Sequence, residues 1–406
     1  MSFDVQIDSL VYEGYGFGRL PDGKAVFVPF VLPGERVRIE LTVEKKRHAY
    51  GRVVQLLDAS DERIKPKCAH FSKCGGCHFQ HMAYKRQLYY KEAIFIEQLV
   101  RMGGIDNPQV GAVHPSKTTW NYRNAVQFHL TNKGELGYRS ASNEYVLPIQ
   151  ECHLPMAAID ELWPQMKFEA GSGIDRVEVR QNSDGGLLVN LHSEEKDIPE
   201  IDVTDALSMV HTGPYDQVVI SGENHLVYSL LGSEFRVSSG SFFQTNFDGA
   251  ALLAETVLSM AAGLSGTLFD LYSGVGLFSA ILGDQFEHIV AVEGSHSACE
   301  DYAHNLKDGG DIDLYEGNVE HLLRDISDRA DCVVVDPPRG GLHRYAVDAL
   351  VNKKAQRVIY VSCNPATLGR DIKRLGKGGY ELKRSVIVDM FPQTYHIESV
   401  NLLELR

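Results

Sequence analysis

The C-terminal part of the chain alternates short apolar runs with longer helical stretches, and this rhythm constrains the fold more than any other feature. The runs at 267–272, 289–293, 332–336 and 358–361 have the length and composition of buried strands. Strands that alternate with helices predict a parallel, doubly wound α/β sheet. We therefore expect an α/β domain over residues 232–406. Ligands bind such sheets in the crevice beyond the carboxyl ends of the strands.

The rest of the chain is long enough for two further domains. Residues 1–57 alternate short apolar runs with turn signals such as Pro21-Asp22-Gly23, which predicts a small β-barrel. Residues 58–231 begin with a cysteine-bearing loop and return to short strands, which predicts a mostly antiparallel central domain. A helix predicted at about 82–102 is expected to pack on the C-terminal domain.

Charge is distributed unevenly along the chain. The formal net charge is -14, but residues 1–110 carry 16 Lys and Arg against 13 Asp and Glu. The N-terminal part is therefore the part suited to a polyanionic partner. The sequence has no apolar stretch long enough to span a bilayer and no signal-peptide pattern at its start, so we expect a cytoplasmic protein without a membrane partner.

A glycine turn marks a candidate cofactor site. The run from Asp270 to Ser279 is a strand that enters a turn at Gly274 and Gly276 and then a helix, which lets the backbone approach a nucleotide closely. Glu293 closes the next strand at a distance suited to ribose hydroxyls. Both NAD and S-adenosylmethionine satisfy this pattern. Asp336 is an acid followed by a turn that two prolines stiffen, Pro337 and Pro338. This arrangement suits a methyltransferase pocket and favours S-adenosylmethionine.

A thiol lies at the end of the next predicted strand, in Ser362-Cys363-Asn364-Pro365. A single cysteine is often a small buried hydrophobe. Cys363, however, shares the carboxyl edge of the sheet with Asp336, where a reactive residue would be placed. We therefore take it as a candidate nucleophile.

Four other cysteines form a separate candidate site. Cys68, Cys74 and Cys77 stand as Cys-x5-Cys-x2-Cys, and Cys152 lies far downstream. Four thiolates can hold zinc or an iron-sulfur cluster, and the spacing alone does not choose between the two.

Three motifs together carry a family resemblance: residues 242–246 (FFQTN), 362–371 (SCNPATLGRD) and 391–398 (FPQTYHIE). With them the chain resembles, over nearly its whole length, the RNA 5-methyluridine methyltransferases. Residues 14–58 resemble the family's RNA-binding TRAM barrel, an OB-like fold. The resemblance implies a Rossmann-like class I methyltransferase domain that transfers a methyl group to C5 of a uridine in RNA.

The resemblance also implies roles for individual residues. Cys363 would be the nucleophile that adds to C6 of uracil, and Glu398 the base that removes the C5 proton. It implies five contacts to S-adenosylmethionine, by Gln244, Tyr272, Glu293, Asn318 and Asp336. It implies four ligands of a [4Fe-4S] cluster, namely Cys68, Cys74, Cys77 and Cys152.

Several points stay open at this level. The target base must be single-stranded or flipped out of a helix, and Phe243 is either a stacking platform for it or a core residue. Arg339 is a candidate to stabilise the thiolate. Leu277 and Gln393 depart from the family pattern, so we assign them no role.

We expect a monomer that acts on 23S ribosomal RNA, with transfer RNA as the alternative. Two other hypotheses are a catalytically silent iron-sulfur RNA-binding protein and an N-methyltransferase, although the latter needs no nucleophilic thiol.

Overall fold

The N-terminal strands form a closed barrel in the computed structural model, which describes residues 2–194 and 207–406. The strands are β1 Ser2–Leu10, β2 Gly16–Arg19, β3 Ala25–Val28, β4 Arg36–Glu44 and β5 His48–Asp58. Their order around the barrel is β1-β2-β3-β5-β4, closed by pairing of β1 with β4. Alternate residues of β3 and β5 are buried, as expected of strands with one face toward a core.

Helix α1 (Tyr84–Gln98) follows the cysteine loop and ends in a π-helical turn, Leu99–Gly103. A second sheet then contains β6 Ala125–Leu130, β7 Leu136–Arg139, β8 Val146–Pro148, β9 Ile174–Gln181, β10 Leu187–Ser193, β11 Ser208–Thr212 and β12 Gln217–Ser221, with helix α2 at Ala157–Leu162. Its order is β12-β11-β10-β9-β6-β7-β8, and only β10 and β11 are parallel. The hairpin β13 (His225–Leu230) and β14 (Ser233–Ser238) leads into the C-terminal domain.

The C-terminal sheet contains β15 Thr267–Leu271, β16 His288–Glu293, β17 Asp311–Glu316, β18 Cys332–Val335, β19 Arg357–Ser362, β20 Tyr380–Val388 and β21 Glu398–Leu405. Its helices are α3 Phe247–Ala261, α4 Leu277–Leu282, α5 His296–Asn305, α6 Val319–Leu322, α7 Arg344–Lys353 and α8 Pro365–Lys377. The strand order is β17-β16-β15-β18-β19-β21-β20, in which β21 alone runs antiparallel to both neighbours.

Helices cover both faces of this sheet, which is why every residue of β18 is buried. Helices α3, α4 and α5 contribute to the core on one face, and α6, α7 and α8 to the core on the other. Helix α1 joins the core that contains α6, α7 and α8, since Ile94 and Phe95 pack in the same cluster as Val333 and Val335. The predicted combination of barrel, mostly antiparallel sheet and doubly wound α/β domain is confirmed.

Over the ranges that the structure describes, no helix is both long enough and apolar enough to cross a membrane.

Candidate active site

A cavity of about 820 Å³ opens at the carboxyl ends of the parallel strands. All the residues for which the sequence predicts catalysis or cofactor contact line it: Gln244, Tyr272, Glu293, Asn318, Asp336, Cys363 and Glu398. These residues are spread over more than a third of the sequence, and the fold brings their side chains together in one cavity.

The glycine turn forms one wall of this cavity. Gly276 has a φ of +93°, and a Cβ there would lie 2.9 Å from Cδ1 of Leu306, so only glycine fits. Oδ2 of the buried Asp270 accepts hydrogen bonds from the backbone N–H and the hydroxyl of Ser279, at 3.0 and 2.6 Å. Asp270 thereby fixes the start of α4 against the end of β15.

Glu293 is held at the end of β16 by two backbone donors. Its Oε2 accepts from the N–H of Gly274 at 2.8 Å, and its Oε1 accepts from the N–H of Ser295 at 2.7 Å. Each carboxylate oxygen retains a further lone pair. The carboxylate is thus fixed at the place where such folds bind ribose hydroxyls.

The remaining predicted cofactor residues line the same cavity as this carboxylate. Tyr272 directly follows β15 in a left-handed conformation, with a φ of +60°, and Asn318 directly precedes α6. Gln244 is 9% exposed, and its carbonyl oxygen accepts a hydrogen bond from Nδ2 of Asn124 at 3.0 Å. The central domain therefore helps to place the segment that carries Gln244.

Strand register places Cys363 opposite Glu398. Ser362, the last residue of β19, pairs with Ser399 of the antiparallel β21. The next residue beyond each member of this pair is Cys363 on one strand and Glu398 on the other. The side chain of Asn364 then caps α8 by accepting from the N–H of Ala366 at 3.0 Å, which fixes the turn that carries the thiol.

The site is electrostatically acidic. Burial raises the pKa of Glu398 well above its usual range, and Asp336 raises it further. Burial, Glu398 and Asp336 raise the pKa of the Cys363 thiol to about 12, and burial with Asp270 raises that of Asp336 to about 7. Arg339 opposes the shifts of Cys363 and Glu398. A cationic ligand would lower all three pKa values and favour the thiolate and the carboxylates.

Residues 389–397, which we call the base loop, lead into Glu398 and are held by helix α1. Lys91 donates hydrogen bonds from Nζ to Oδ1 of Asp389 at 2.6 Å and to the carbonyl oxygen of Phe391 at 2.9 Å. Gln87 donates from Nε2 to Oε1 of Gln393 and accepts from its backbone N–H, both at 2.9 Å.

Gln393 also joins the base loop to the cysteine loop. It adopts a left-handed conformation, with a φ of +69°, and its carbonyl oxygen accepts from the N–H groups of His78 at 2.8 Å and Phe79 at 2.9 Å. This departure from the family pattern therefore has a structural role in this chain.

The four predicted metal ligands lie within electrostatic reach of one another. Burial raises the pKa of Cys77 to about 12, with contributions from Cys152 and Cys74. Burial also raises the pKa of Cys74 to about 11, to which Cys152 and Cys68 add. In the described part of the chain, however, no group of three or more Cys, His, Asp or Glu side chains is arranged to hold a metal ion. The predicted cluster is not confirmed.

Sequence reasoning missed two aromatic groups of the cavity. Phe242 and Phe243 both line the cavity, but Phe243 is 9% exposed and packs against Tyr228 and Phe235, whereas Phe242 is 67% exposed. His396 also lines the cavity, with both ring nitrogens 3.3 Å from the guanidinium of Arg339. Burial and Arg339 lower the pKa of His396 to about 2, so the ring is neutral.

Leu277, the other departure from the family pattern, is buried and forms an apolar part of the cavity wall. Arg339, predicted as a stabiliser of the thiolate, lies at the same cavity and lowers the pKa of Cys363, against the larger effect of burial.

The doubly wound sheet with its antiparallel β21, together with the pocket at the carboxyl ends of its strands, defines a class I S-adenosylmethionine-dependent methyltransferase. Residues 322–406 match the family model of tRNA (Uracil-5-)-methyltransferases, and residues 2–54 match that of the TRAM domain. The chain belongs to the RNA (uracil-C5)-methyltransferase family.

Curated relatives and a solved structure agree with this assignment. An uncharacterized RNA methyltransferase of Aquifex aeolicus is 36% identical, with 98% of each chain covered. A second uncharacterized RNA methyltransferase, from Halalkalibacterium halodurans, is 32% identical, with 99% of this chain and 97% of the other covered. The crystal structure of the Pyrococcus abyssi tRNA (uracil-54, C5)-methyltransferase, in complex with S-adenosyl-L-homocysteine, is 25% identical. It has a TM-score of 0.74 and covers 98% of this chain and 100% of that chain.

Proposed function

We propose that this enzyme methylates C5 of a uridine in RNA through a covalent bond between Cys363 and C6 of the base, with Glu398 as the base that removes the C5 proton. The observation that carries this proposal is the pairing of Ser362 with Ser399, which sets the thiol and the carboxyl group opposite each other in one cavity. An N-methyltransferase would need neither a nucleophilic thiol nor this pairing.

The chemistry explains both groups. Addition of the Cys363 thiolate to C6 breaks the C5–C6 double bond and turns C5 into a nucleophile toward the methyl carbon. Once C5 carries the methyl group, Glu398 accepts the C5 proton. The C5–C6 double bond then re-forms as the sulfur of Cys363 leaves as thiolate. The methyl carbon loses its bond to the donor sulfur as it gains its bond to C5, so the net products are the methylated base, S-adenosylhomocysteine and one proton.

The methyl donor fits the residues of the cavity. Bound S-adenosylmethionine supplies an electrophilic methyl group on a positively charged sulfonium. Glu293 is fixed as an acceptor for ribose hydroxyls, and Gln244, Tyr272, Asn318 and Asp336 surround the same space. The acidic character of the site suits a cationic donor, because Asp336 and Glu398 gain charge when a cation is near.

Phe242 is the residue that we assign to stacking on the extruded base. A base that reacts at C5 and C6 must leave its helix, and enzymes of this kind receive it on aromatic side chains. Of the two phenylalanines in the cavity wall, Phe242 is exposed, whereas Phe243 is buried against Tyr228.

The proposed target, which rests on the family resemblance alone, is 23S ribosomal RNA. Transfer RNA is the second candidate. The Pyrococcus abyssi protein is a tRNA methyltransferase, and its structure matches 98% of this chain. Incubation of the enzyme with ribosomal RNA and transfer RNA from a deletion strain, followed by mass spectrometry of the nucleosides, distinguishes the two.

The covalent step has a direct test. RNA that carries 5-fluorouridine at the target retains fluorine where the proton would leave, so the adduct persists and migrates as a protein–RNA complex on a denaturing gel. We expect this complex with the native enzyme and with Cys332→Ala, a control at a buried cysteine of β18, but not with Cys363→Ala. A complex with Cys363→Ala would refute the assignment.

We also propose that Cys68, Cys74, Cys77 and Cys152 bind a [4Fe-4S] cluster. The support is that neighbouring cysteines of the set help to raise the pKa of Cys74 and Cys77, and that the N–H groups of His70 and Gly76 each lie 3.4 Å from a cysteine sulfur. Binding requires the four sulfur atoms to converge. Anaerobically purified protein should contain iron and sulfide, with roughly four irons per chain. Stoichiometric zinc without iron would refute the cluster.

A further inference from the structure

One segment of the cavity wall enters from the hairpin of β13 and β14. Residues 238–246, which we call the connecting segment, run from the last residue of β14 to the residue before α3. Four of them line the cavity: Gly240, Phe242, Phe243 and Gln244. The segment begins with a turn in which the N–H of Ser241 donates to the carbonyl oxygen of Ser238 at 2.9 Å. The position of this turn sets where the rest of the segment enters the cavity.

Arg180 of the central sheet binds three carbonyl oxygens of this turn. It lies on β9, and its side chain is 11% exposed. Its Nη1 donates to the carbonyl oxygens of Ser238 at 3.1 Å and Ser241 at 2.8 Å, and its Nη2 donates to that of Ser239 at 3.0 Å. Its Nε donates to Oε1 of Glu178 at 2.8 Å, which fixes the plane of the guanidinium. A rigid fork of donors suits several acceptors at fixed positions, and the ammonium group of a lysine does not reproduce it.

Asp301 of helix α5 holds the same turn from the C-terminal domain, and its side chain is 0% exposed. Its Oδ2 accepts from the backbone N–H of Ser238 at 2.7 Å and from the hydroxyl of Ser241 at 2.6 Å. Its Oδ1 accepts from the hydroxyl of Ser238 and from Nε of Arg236, both at 2.8 Å. Hydrogen bonds to ionised groups are stronger than those between neutral groups. The carboxylate thus fixes the donors of the turn, and Arg180 fixes its acceptors.

The turn lies against the start of α5. The hydroxyl oxygens of Ser241 and Ser297 are 2.8 Å apart, and a Cβ on Gly240 would lie 3.2 Å from Oγ of Ser297. The N–H of Ser295, two residues earlier, donates to the carboxylate of Glu293. A shift of the turn would therefore move one wall of the cavity relative to Glu293.

The central sheet also holds the far end of the connecting segment. The backbone N–H of Asn124 donates to the carbonyl oxygen of Thr245 at 3.1 Å, and its Nδ2 donates to that of Gln244 at 3.0 Å. With Arg180 at one end and Asn124 at the other, the central domain fixes the backbone on both sides of the residues that face the cavity.

We propose that Arg180 is a positioning residue for S-adenosylmethionine. From outside the methyltransferase domain, it holds the connecting segment so that Gln244 contacts the methyl donor. This inference rests on the proposed function, in which Gln244 makes that contact. An arginine between two domains could contribute to stability alone, but the three backbone acceptors of Arg180 all belong to the turn that leads into the cavity wall. The cofactor site therefore includes the central domain.

The test measures binding of the donor apart from stability. Calorimetry with S-adenosylhomocysteine gives the Kd of the native protein, Arg180→Met and Arg180→Lys. We expect Arg180→Met to weaken binding by about tenfold or more, the lower end of what removal of an orienting partner costs in other binding sites. Arg180→Lys should recover part of the affinity, because it keeps the charge but not the fork. The KM for S-adenosylmethionine should rise more than kcat falls, since the connecting segment carries neither the thiol nor the base.

Arg357→Met is the matched control. Arg357 also donates from Nη1 to two carbonyl oxygens, those of Met260 at 3.1 Å and Ala262 at 2.8 Å, and from Nε to Glu404 at 3.1 Å. It is the first residue of β19, however, and so lies at the end of the sheet opposite the cavity. Its loss should lower the free energy of unfolding in urea but leave the Kd for S-adenosylhomocysteine unchanged.

Native affinity of Arg180→Met for S-adenosylhomocysteine would overturn the proposal. An equal loss of affinity in Arg357→Met would overturn it too, because the effect would then be one of stability in general. If Arg180→Met does not fold, Arg180→Lys is compared with the control by the same criteria. Failure of the proposed reaction shows in the native protein, through the fluorouridine adduct, whereas failure of this inference shows only in the Arg180 variants, so the two are distinguishable.

Discussion

Loss of the Lys91 amino group should destabilise the protein by about 3–5 kcal/mol, the range for breaking a buried ion pair by removing one partner. Lys91 and Asp389 form an ion pair whose side chains are 1% and 0% exposed. In Lys91→Met the apolar stem remains, but Asp389 stays buried without its cation, and the carbonyl of Phe391 loses its donor.

The assay is urea-induced unfolding of the native protein, Lys91→Met, Asp389→Asn and the double variant. The double variant removes both charges, so its loss should be smaller than the sum of the two single losses. Lys117→Met is the matched control, because Lys117 forms an ion pair of similar length, 2.8 Å, with Asp248 at the surface. Its loss should stay within about 1 kcal/mol.

The same variants test the link to catalysis. Because Lys91 holds the loop that leads into Glu398, Lys91→Met should lower kcat for methyl transfer more than it raises KM for S-adenosylmethionine. The reasoning would be refuted if Lys91→Met lowered the free energy of unfolding by less than about 1 kcal/mol and if the losses of the two single variants simply added in the double variant.

Three further predictions concern the cavity. Because the reaction uses Cys363 as thiolate and Glu398 as carboxylate, and both pKa values are raised, kcat/KM should increase with pH between about 6 and 9; a decrease over this range would contradict the assigned roles. Burial raises the pKa of the Asp336 carboxyl to about 7 in the folded protein, whereas in the unfolded chain it is about 4. The protonated carboxyl therefore favours the folded state fully below about pH 4, and this contribution to the free energy of unfolding is lost as the pH rises through about 7. In thermal unfolding without ligand, Asp336→Asn should therefore be more stable than the native protein at pH 8 but not at pH 4. Gly276→Ala adds a Cβ at a φ of +93° and 2.9 Å from Leu306, so calorimetry should show about tenfold or more weaker binding of S-adenosylhomocysteine.

The parallel part of the fold was predictable because its strands are buried on both faces and read as apolar runs. Their carboxyl ends necessarily meet at one edge, so the proximity of Asp336 and Cys363 followed from the sequence. The position of Glu398 opposite Cys363 did not, because it depends on the register of the antiparallel β21, which no local pattern specifies. Only the family resemblance connected the two residues.

Other features depend on distant partners. Phe242 and Phe243 are adjacent and identical in type, so the sequence alone does not tell which ring faces the core. The hold of α1 on the base loop was not predictable either, because Gln87 and Gln393 are 306 positions apart in sequence. The spacing of Cys68, Cys74 and Cys77 indicated a shared site but not the positions of their sulfur atoms relative to Cys152.

The ion pair between Lys91 and Asp389 also bears on how the protein is made. Lys91 leaves the ribosome 298 residues before its partner, an interval of about 15 to 60 s at ordinary rates of translation. Until Asp389 emerges, docking of α1 would bury an uncompensated ammonium group, so the helix must stay solvated while the barrel is already able to close. A nascent chain interrupted before its last twenty residues would therefore expose the apolar face of α1 to chaperones and proteases, and only a completed chain would conceal it.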